Sequence, residues 1–393
     1  MLFLDGWVAA QSKTPATEPA SGKELGSIGL ADPAAIGTAA SSARDAQARW
    51  SALNPDERAA VFLRALEIGA AKGDEIIDWL VRESGSVRAK AAFELQVTLK
   101  AIQLAAAMPH QAQGLVLPST PGRISLARRR PIGVVGVIAP FNFPLYLAMR
   151  AVAPALAVGN AVVLKPDPRT ALCGGLVIAR LFELAGLPTG VLQVLPGGGD
   201  AGEALCSDPN VGMIQFTGST GAGRMVGQTA SRHLKKVSLE LGGKNSIIIL
   251  EDADIDIAVR NTAWSAYLHQ GQICMSAGRV LVHESIAAAF STALAEKASA
   301  LPVGDPAEND VAIGPLINQR QLDHVVKVVS DSVAAGAQLA AGGQADKLFY
   351  SPTVLMGVTP EMPAFKEEIF GPVAVVTTFK TVDRRGKRTP VAG

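Results

Sequence analysis

The chain has 393 residues, of which 48% are hydrophobic and 18% are charged, and its formal net charge is +1. This composition predicts a globular protein with more than one domain and excludes a largely disordered chain. Because basic residues are spread along a nearly neutral chain, a nucleic-acid-binding surface is not expected.

The N-terminal part of the chain predicts helices. Its first residues, MLFLDGW, lack the basic start of a signal peptide, so export is not expected. Within residues 32–108, helices should begin at Asp32-Pro33 and Asn54-Pro55, where an N-cap residue precedes a proline in the first helical position. Glu57 completes the spacing of a capping box with Asn54.

A two-stranded hairpin should follow at residues 112–131. The segments LVLP and ISLARR are separated by Ser119-Thr120-Pro121-Gly122, which is typical of a turn. The second arm is basic, so it should be exposed or lie at an interface.

Residues 131–243 predict a parallel sheet. The apolar run GVVGVIA is followed by a helix, AVVLK by a helix from Arg169, VLQVL directly by MIQFT, and MIQFT by a helix from Gly221 that precedes VSLEL. Such alternation is typical of βαβ units with a sheet buried on both faces. One stretch, residues 145–164, is apolar enough for a membrane span but contains Arg150 and Pro154. We therefore expect a buried helix, a turn and a strand there.

A second α/β region follows Gly243. Strands are predicted at SIIIL and RVLVH, with helices from Asp254 and Ser285 and a long helix around residues 321–335. The end of the chain, residues 384–393, has no apolar periodicity and is locally basic. It is interpreted either as a solvated tail or as a truncation or change of reading frame.

The three cysteines differ in their predicted surroundings. Cys274 lies in HQGQICMSAGR, on a loop between a helix and a strand, where a thiol can reach a substrate or remain buried and inert. Cys173 and Cys206 are interpreted as structural cysteines, and Cys173 lies within an apolar helix. Because no CxxC pair or metal-ligand spacing occurs, neither disulfides nor a metal site is expected, and a reducing cytoplasm fits best.

Three further features adjoin predicted strands. Glu240 ends a strand before two glycines, where a carboxylate can act as a general base or simply be solvated. Asn142, between Pro140 and Pro144, suits either an oxyanion hole or a turn. The glycines of FTGSTGAGR open a helix and can admit a phosphate, although the segment lacks GxGxxG.

The motifs PFNFP, GNAVVLKP, FTGSTGAGR, ELGGKN, GQIC and EEIFGPV resemble those of the aldehyde dehydrogenase superfamily in identity, order and approximate spacing. The resemblance runs from DGW to about Asp383. It implies that Cys274 attacks the aldehyde carbon, that the Asn142 amide holds the oxyanion, and that Glu240 activates the water that hydrolyses the thioester. The presence of Glu240 argues against the CoA-acylating branch.

The resemblance also implies NAD or NADP as the coenzyme. The residues matched to its binding are Pro140, Lys165, Gly218, Ser219, Gly223, Leu241, Glu368 and Phe370. Lys165 is implied to contact the adenosine ribose, and Glu368 with Phe370 the nicotinamide end. Many NAD-preferring members have a glutamate three positions after this lysine, whereas this chain has Pro168. Without that carboxylate nothing at this position repels a 2′-phosphate, so both NAD and NADP remain candidate coenzymes.

The segments KPDPRTALCGG and PFNFPLYLAMR look most like those of benzaldehyde and related aromatic-aldehyde dehydrogenases. The implied substrate is therefore an aromatic aldehyde, with Phe143, Leu147 and Arg150 along the helix that lines the substrate tunnel. Arg150 is equally explained as an ion-pair partner in the core.

The implied architecture is α/β. It comprises a parallel-sheet NAD(P)-binding domain (1–111 and 132–242), a catalytic domain (243–383) and a hairpin used in oligomerisation (112–131). Because the family continues past EEIFGPV, we expect an incomplete catalytic domain with an uncovered strand edge, which places the family's homodimer or homotetramer in question. The alternative to an active enzyme is a catalytically silent, cofactor-binding remnant or non-catalytic subunit.

Overall fold

The computed structural model describes residues 1–381, and contacts along this part of the chain divide it into two compact units. The first unit comprises Met1–Ala16, Glu24–Trp79 and Ala92–Glu240. The second comprises Thr17–Lys23, Leu80–Ala91 and the described chain from Leu241 onward. The predicted tail at 384–393 lies outside the described residues, as do the last two residues of the predicted catalytic domain. Within residues 1–381, no helix combines the length and apolarity needed to cross a membrane.

The first 241 residues contain eleven labelled strands and eight labelled α-helices. The strands are β1 (Leu2–Phe3), β2 (Trp7–Val8), β3 (Ser12–Thr17), β4 (Glu24–Leu30), β5 (Gly114–Leu117), β6 (Ser125–Arg128), β7 (Val134–Ile138), β8 (Ala161–Lys165), β9 (Leu192–Val194), β10 (Val211–Gly218) and β11 (Lys236–Leu241). The helices are α1 (Pro33–Ala52), α2 (Pro55–Ala71), α3 (Gly73–Ser84), α4 (Arg88–Ala107), α5 (Pro144–Ala157), α6 (Val177–Leu184), α7 (Gly199–Ser207) and α8 (Thr220–Arg232).

A seven-stranded sheet with the order β11-β10-β7-β8-β9-β1-β2 organises the first unit. Strands β10, β7, β8 and β9 run parallel, with Val134 of β7 opposite Ala161 of β8. Every residue of β7 and β8 is buried, because apolar side chains on both faces lie against packed helices. The predicted parallel sheet, and the predicted helix, turn and strand across residues 145–164, are confirmed.

The two predicted helix starts are also confirmed. The Asp32 carboxylate accepts the Ala35 amide at 2.8 Å, so it caps α1. At α2 the Asn54 side chain accepts the Glu57 amide at 2.9 Å, and the Glu57 carboxylate accepts the Asn54 amide at 3.0 Å. This reciprocal pair is the capping box that the spacing predicted.

The predicted hairpin consists of β5 and β6, which pair antiparallel with Gly114 opposite Arg128. Both arms are largely exposed, as expected for the basic second arm. Apolar side chains are exposed as well, including those of Leu115, Val116 and Ile124. Such a group of exposed apolar side chains is typical of a contact surface.

The second unit contains a mixed five-stranded sheet. Its strands are β12 (Ser246–Ile249), β13 (Arg279–His283), β14 (Gln338–Ala341), β15 (Ala345–Asp346), β16 (Phe349–Tyr350), β17 (Thr353–Met356) and β18 (Val373–Phe379). Its helices are α9 (Ile255–Tyr267), α10 (Glu284–Ser299), α11 (Gln319–Ala334) and α12 (Pro363–Lys366). The order is β12-β13-β18-β17-β14, and only β14 of these runs antiparallel to its neighbour. The strands and helices predicted in this region are present.

One predicted helix begins differently from expectation. The chain from Arg169 first forms a 3-10 turn (Pro168–Thr170) and a π turn (Leu172–Leu176) before α6. A side chain at Gly174 would press on Pro144, and one at Gly175 on Pro166, so the glycines permit close packing that reshapes the helix start. The sequence interpretation also omitted α7, whose small residues carry little apolar periodicity.

Candidate active site

The loop that carries Cys274 begins with an unusual backbone. His269 and Gln270 have φ values of 49° and 57°, and Gly271 follows at 67°. Such left-handed conformations are costly for residues other than glycine and cluster where the surrounding structure imposes them. A side chain at Gly271 would overlap the backbone of Gly371, so only glycine fits. This reversal leads into Cys274, which is exposed.

Hydrogen bonds hold the backbone of this loop. The Asn245 Nδ2 donates to the Cys274 carbonyl at 2.6 Å and to the Ser276 carbonyl at 3.3 Å. The Gln272 Oε1 accepts the Ile317 amide at 3.1 Å. The thiol is therefore presented on a fixed backbone. Asn245 lies within ELGGKN, but the sequence interpretation gave it no role because its bond spans 29 residues.

The other two cysteines have the structural surroundings predicted for them. Cys173 and Cys206 are both buried. Burial raises the pKa of the Cys206 thiol to about 11, although the positive charge of Lys235 opposes the shift. A thiol with so high a pKa is neutral and unreactive at neutral pH. Cys274 is the one exposed cysteine.

Asn142 lies between β7 and α5 and is buried, with 3% of its surface exposed. The start of α5 is fixed by Glu94, whose Oε1 accepts the amides of Leu145 at 2.9 Å and Tyr146 at 3.1 Å. A carboxylate at a helix N-terminus satisfies amides that have no partner within the helix. Sequence reasoning missed Glu94, because it lies on α4 and nothing near it in sequence indicates this contact.

Glu240 and Arg150 are brought together. Glu240 lies on β11 as predicted, and its Oε2 is 3.4 Å from the Nη2 of Arg150 on α5. The same Nη2 lies 3.4 Å from the Thr217 Oγ1 on β10. Arg150 therefore has an ion-pair partner, but the pair is partly exposed and does not lie in the core. Phe143 and Leu147, the other residues predicted along this helix, are buried.

Lys165 ends β8 and has buried polar surroundings. Its Nζ donates to the Gly197 carbonyl at 2.8 Å, and burial lowers the pKa of the ammonium. Two positions later, Asp167 receives two bonds from Arg169, at 2.8 Å from Nε and 2.6 Å from Nη2. Burial alone would raise the pKa of Asp167, but the hydrogen bonds and charge of Arg169 outweigh it and lower that pKa.

The glycine-rich segment forms the turn from β10 into α8. Gly218 ends the strand, and the Ser219 side chain caps the 13-residue helix. A side chain at Gly221 would meet nothing within 4 Å, so the first turn of the helix is open on that side, and Gly223 is buried. A helix N-terminus of this kind favours phosphate. Pro140 follows β7 by two residues.

In the second unit, α11 holds the segment that contains Glu368 and Phe370. The Gln321 Nε2 donates to the carbonyls of Ile369 at 3.1 Å and Phe370 at 3.0 Å, and His324 bonds the Glu368 carbonyl at 3.0 Å. Phe370 adopts a left-handed conformation at φ 52°. Burial raises the pKa of the Glu368 carboxyl, against a hydrogen bond from the Gly243 amide and the charges of Lys244 and His324.

The Glu368 carboxylate packs directly over Gly242, the residue that follows Leu241 at the end of β11. A side chain at Gly242 would overlap both carboxylate oxygens. Glu368 and Phe370 line a pocket with Gly243 and Lys244. Glycine at position 242 therefore allows the carboxylate to lie where it does.

Lys244 was not singled out by sequence reasoning. Its Nζ is buried and has no hydrogen-bond partner among residues 1–381. Burial, and secondarily the charge of Arg279, lowers the pKa of the ammonium from 10.5 to about 7. An amine with that pKa is partly neutral under physiological conditions.

Each unit, taken by itself, presents groups that suit part of a nicotinamide dinucleotide. The first unit presents a lysine at a strand end and an open helix N-terminus, which suit ribose and phosphate groups. The second unit presents the Glu368 carboxylate, whose oxygens can accept ribose hydroxyls.

Comparison with known proteins agrees with these features. Residues 7–385 match the model of the aldehyde dehydrogenase family. A vanillin dehydrogenase from Amycolatopsis sp. is 52% identical over 98% of this chain and 80% of its own length. A benzaldehyde dehydrogenase [NAD(+)] from Pseudomonas putida is 47% identical over 97% of this chain and 79% of its own length.

Solved structures agree as well. An NAD-dependent benzaldehyde dehydrogenase from Corynebacterium glutamicum superimposes with a TM-score of 0.91 at 38% identity, covering 97% of this chain and 84% of its own. An NADP-dependent enzyme from E. coli gives 0.94 at 33% identity, with 97% and 81% covered. The fold predicted from the motifs is thus confirmed, and the chain belongs to the aldehyde dehydrogenase family.

Proposed function

We propose that this NAD(P)-dependent aldehyde dehydrogenase oxidises an aromatic aldehyde of the benzaldehyde or vanillin type to its carboxylic acid. The observation that carries the proposal is the Cys274 loop, in which an exposed thiol stands on a backbone fixed by Asn245. The names of the similar relatives support the aromatic class. The buried apolar side chains of Phe143 and Leu147 suit an aromatic ring.

In the proposed reaction, the Cys274 thiolate attacks the carbonyl carbon to give a thiohemiacetal. The Asn142 amide donates a hydrogen bond to the developing oxyanion. NAD or NADP, when bound, would supply the hydride acceptor, and the oxidised carbon would stay on Cys274 as a thioester. Glu240 then takes a proton from water as the water oxygen attacks the thioester, and the C–S bond breaks to release the acid.

The residue assignments for the coenzyme are part of the proposal. Lys165 would contact the adenosine ribose, the turn at Gly218 and Ser219 the pyrophosphate, and Glu368 with Phe370 the nicotinamide ribose and ring. The remaining matched positions are Pro140, Gly223 and Leu241. Residues before Leu241 would thus contact the adenosine and pyrophosphate parts of the coenzyme, and residues from Leu241 onward would contact its nicotinamide end and present the nucleophile.

We also propose that the protein assembles with copies of itself, without specifying their number, and we propose a cellular compartment. The exposed apolar side chains of the hairpin formed by β5 and β6, such as Val116, suit contact with a second copy of the chain. We propose a homo-oligomer for this reason. A cytoplasmic location is proposed because the three cysteines of the chain are far apart and form no CxxC pair, which is typical of a reducing compartment.

The test is formation of NADH or NADPH at 340 nm by the purified protein with benzaldehyde and with vanillin. Wild-type protein should reduce the coenzyme and release the acid, and Cys274→Ala should lower the rate by about a thousandfold or more, because the nucleophile is lost. The matched control is Cys206→Ala, a buried thiol that should leave turnover nearly unchanged. A protein that binds the coenzyme but reduces none with either aldehyde would contradict the proposal and favour a non-catalytic coenzyme-binding chain.

A further inference from the structure

The side chain of Arg150 connects three elements of the first unit. It projects from α5, and its Nη2 lies 3.4 Å from the Thr217 Oγ1 on β10 and 3.4 Å from the Glu240 Oε2 on β11. Strands β10 and β11 are neighbours in the sheet. Thr217 and Glu240 both lie next to the last residue of their strands, so one guanidinium joins groups at two adjacent strand ends.

This contact contributes little to stability. The side chains of Arg150 and Glu240 are 32% and 57% exposed, and an exposed ion pair gains little because water screens its charges. A single contact at 3.4 Å is also longer than a charge-assisted hydrogen bond. The contact between Arg150 and Glu240 therefore matters for the position of the Glu240 carboxylate and not for stability.

We propose that Arg150 is a positioning residue that orients the Glu240 carboxylate for hydrolysis of the thioester, which rests on the function proposed above. Glu240 has several rotatable bonds and more than half of its side chain exposed. Arg150 restricts these rotamers because it is itself tied to Thr217. A base must lie within hydrogen-bond reach of the water that it deprotonates, and small displacements are costly.

The proposal predicts an effect on one half of the reaction. Attack by Cys274 and hydride transfer do not use Glu240, so loss of Arg150 should spare the first turnover. Hydrolysis does use Glu240: the water oxygen bonds to the acyl carbon, its proton passes to the carboxylate, and the C–S bond breaks. The acyl group should therefore accumulate on Cys274.

The experiment compares wild-type protein with Arg150→Met, which keeps the apolar stem, and Arg150→Lys, which keeps the charge. For Arg150→Met, steady-state turnover of benzaldehyde should fall about tenfold, while the rate of the first turnover stays within about twofold. Intact mass after rapid acid quench should show the acylated protein. Arg150→Lys should give intermediate values for both.

An external nucleophile separates positioning from a structural defect. Hydroxylamine attacks the thioester directly, forming a C–N bond as the C–S bond breaks, so it needs no oriented base. Because hydroxylamine also condenses with free benzaldehyde to an oxime, it is added after excess aldehyde has been removed from the acylated Arg150→Met protein, and it should then release the hydroxamic acid and regenerate unmodified protein. The matched control is Arg180→Met, which breaks an ion pair with Glu183 at 2.6 Å on α6 and should behave as wild type.

Two results would overturn the inference alone. One is a wild-type acylation level in Arg150→Met, and the other is an equal slowing of its first turnover and steady state. A wild-type protein that gives no Cys274-dependent reduction would instead remove the proposed function itself. The two failures are thereby distinguished.

Discussion

Lys165 in the first unit and Lys244 in the second both lie at or just after the end of a strand, yet their surroundings differ. The Lys165 ammonium donates to the Gly197 carbonyl, and the nearby carboxylate of Asp167 is held by Arg169. The Lys244 ammonium is buried without a hydrogen-bond partner in the described part of the chain. After burial, the largest influence on its pKa is the charge of another cation, Arg279.

The difference shows in which region the buried charged groups find their hydrogen-bond partners within the chain itself. Buried polar groups in folded proteins are nearly always hydrogen-bonded, and those that are not call for an explanation such as function or strain. The Lys165 ammonium and the Asp167 carboxylate both have partners within the chain, so these two charges are held in place before any ligand binds. The pocket of Lys244 and Glu368 contains a carboxyl group with a raised pKa and an amine with a lowered one. Both shifts are typical of functional sites.

The largest expected effect concerns stability. The pKa of Lys244, about 7, lies below its ordinary 10.5, so between these values the unfolded chain binds a proton that the folded chain does not. Stability of the wild type therefore rises with pH across this window, by up to about 1.4 kcal/mol per pH unit from this group. Lys244→Met removes the contribution, so the variant should gain most over wild type at pH 7, and this advantage should shrink steadily as the pH approaches 10.5.

Urea unfolding at pH 7, 8, 9 and 10 measures this difference. Lys72→Met is the matched control, because Lys72 is an exposed lysine paired with Glu75 at 3.3 Å. Its difference from wild type should not change with pH. A difference between Lys244→Met and wild type that is equally flat would contradict the contrast drawn between the two lysines.

Prediction from sequence succeeded where the information is local. The runs that became β7 and β8 are apolar on both faces, and the caps at Asp32 and Asn54 lie within three residues of the amides that they bind. The motif resemblance supplied the fold as a whole, which local patterns alone would have given only as α/β.

Prediction failed where a contact joins distant parts of the chain. Glu94 binds the start of α5 across 51 residues, and Arg150 meets Glu240 across 90. No periodicity or spacing encodes such pairs, because they depend on how elements pack. Short strands such as β15 and β16, with two residues each, are likewise too brief to show alternation. The residue roles themselves stay predictions until the variants are measured.

A second, smaller effect tests whether the Glu368 carboxylate binds coenzyme. In Gly242→Ala the added methyl group overlaps the carboxylate oxygens, which lie at the end of a flexible side chain and can move. Folding should therefore change little, whereas the Kd for NAD or NADP should rise about tenfold, equivalent to about 1.4 kcal/mol. Titration calorimetry with the coenzyme measures it.

Gly243→Ala provides the control for this substitution. Its added methyl group would lie no closer than 4.0 Å to a neighbouring atom, the Asn245 Oδ1, so Glu368 is not displaced. This variant should bind coenzyme as wild type does. Equal Kd values for both variants and wild type would mean that the position of Glu368 does not matter for binding.

The smallest effect concerns the segment around Lys165, where the charged side chains are hydrogen-bonded within the chain. Asp167 neutralises Arg169 there, and the resemblance places this segment next to the adenosine ribose. Asp167→Asn removes the carboxylate and leaves the guanidinium available to a 2′-phosphate. We expect the ratio of kcat/KM for NADP to that for NAD to rise about two- to fivefold, since a partly exposed ion pair is worth about 1 kcal/mol or less. Asp331→Asn, which breaks an exposed pair with Lys327 at 2.6 Å on α11, should leave the ratio unchanged. If Asp167→Asn instead leaves the ratio unchanged or lowers it, the Arg169 guanidinium does not reach the 2′ position. The contrast between the surroundings of Lys165 and those of Lys244 would then have no bearing on coenzyme choice.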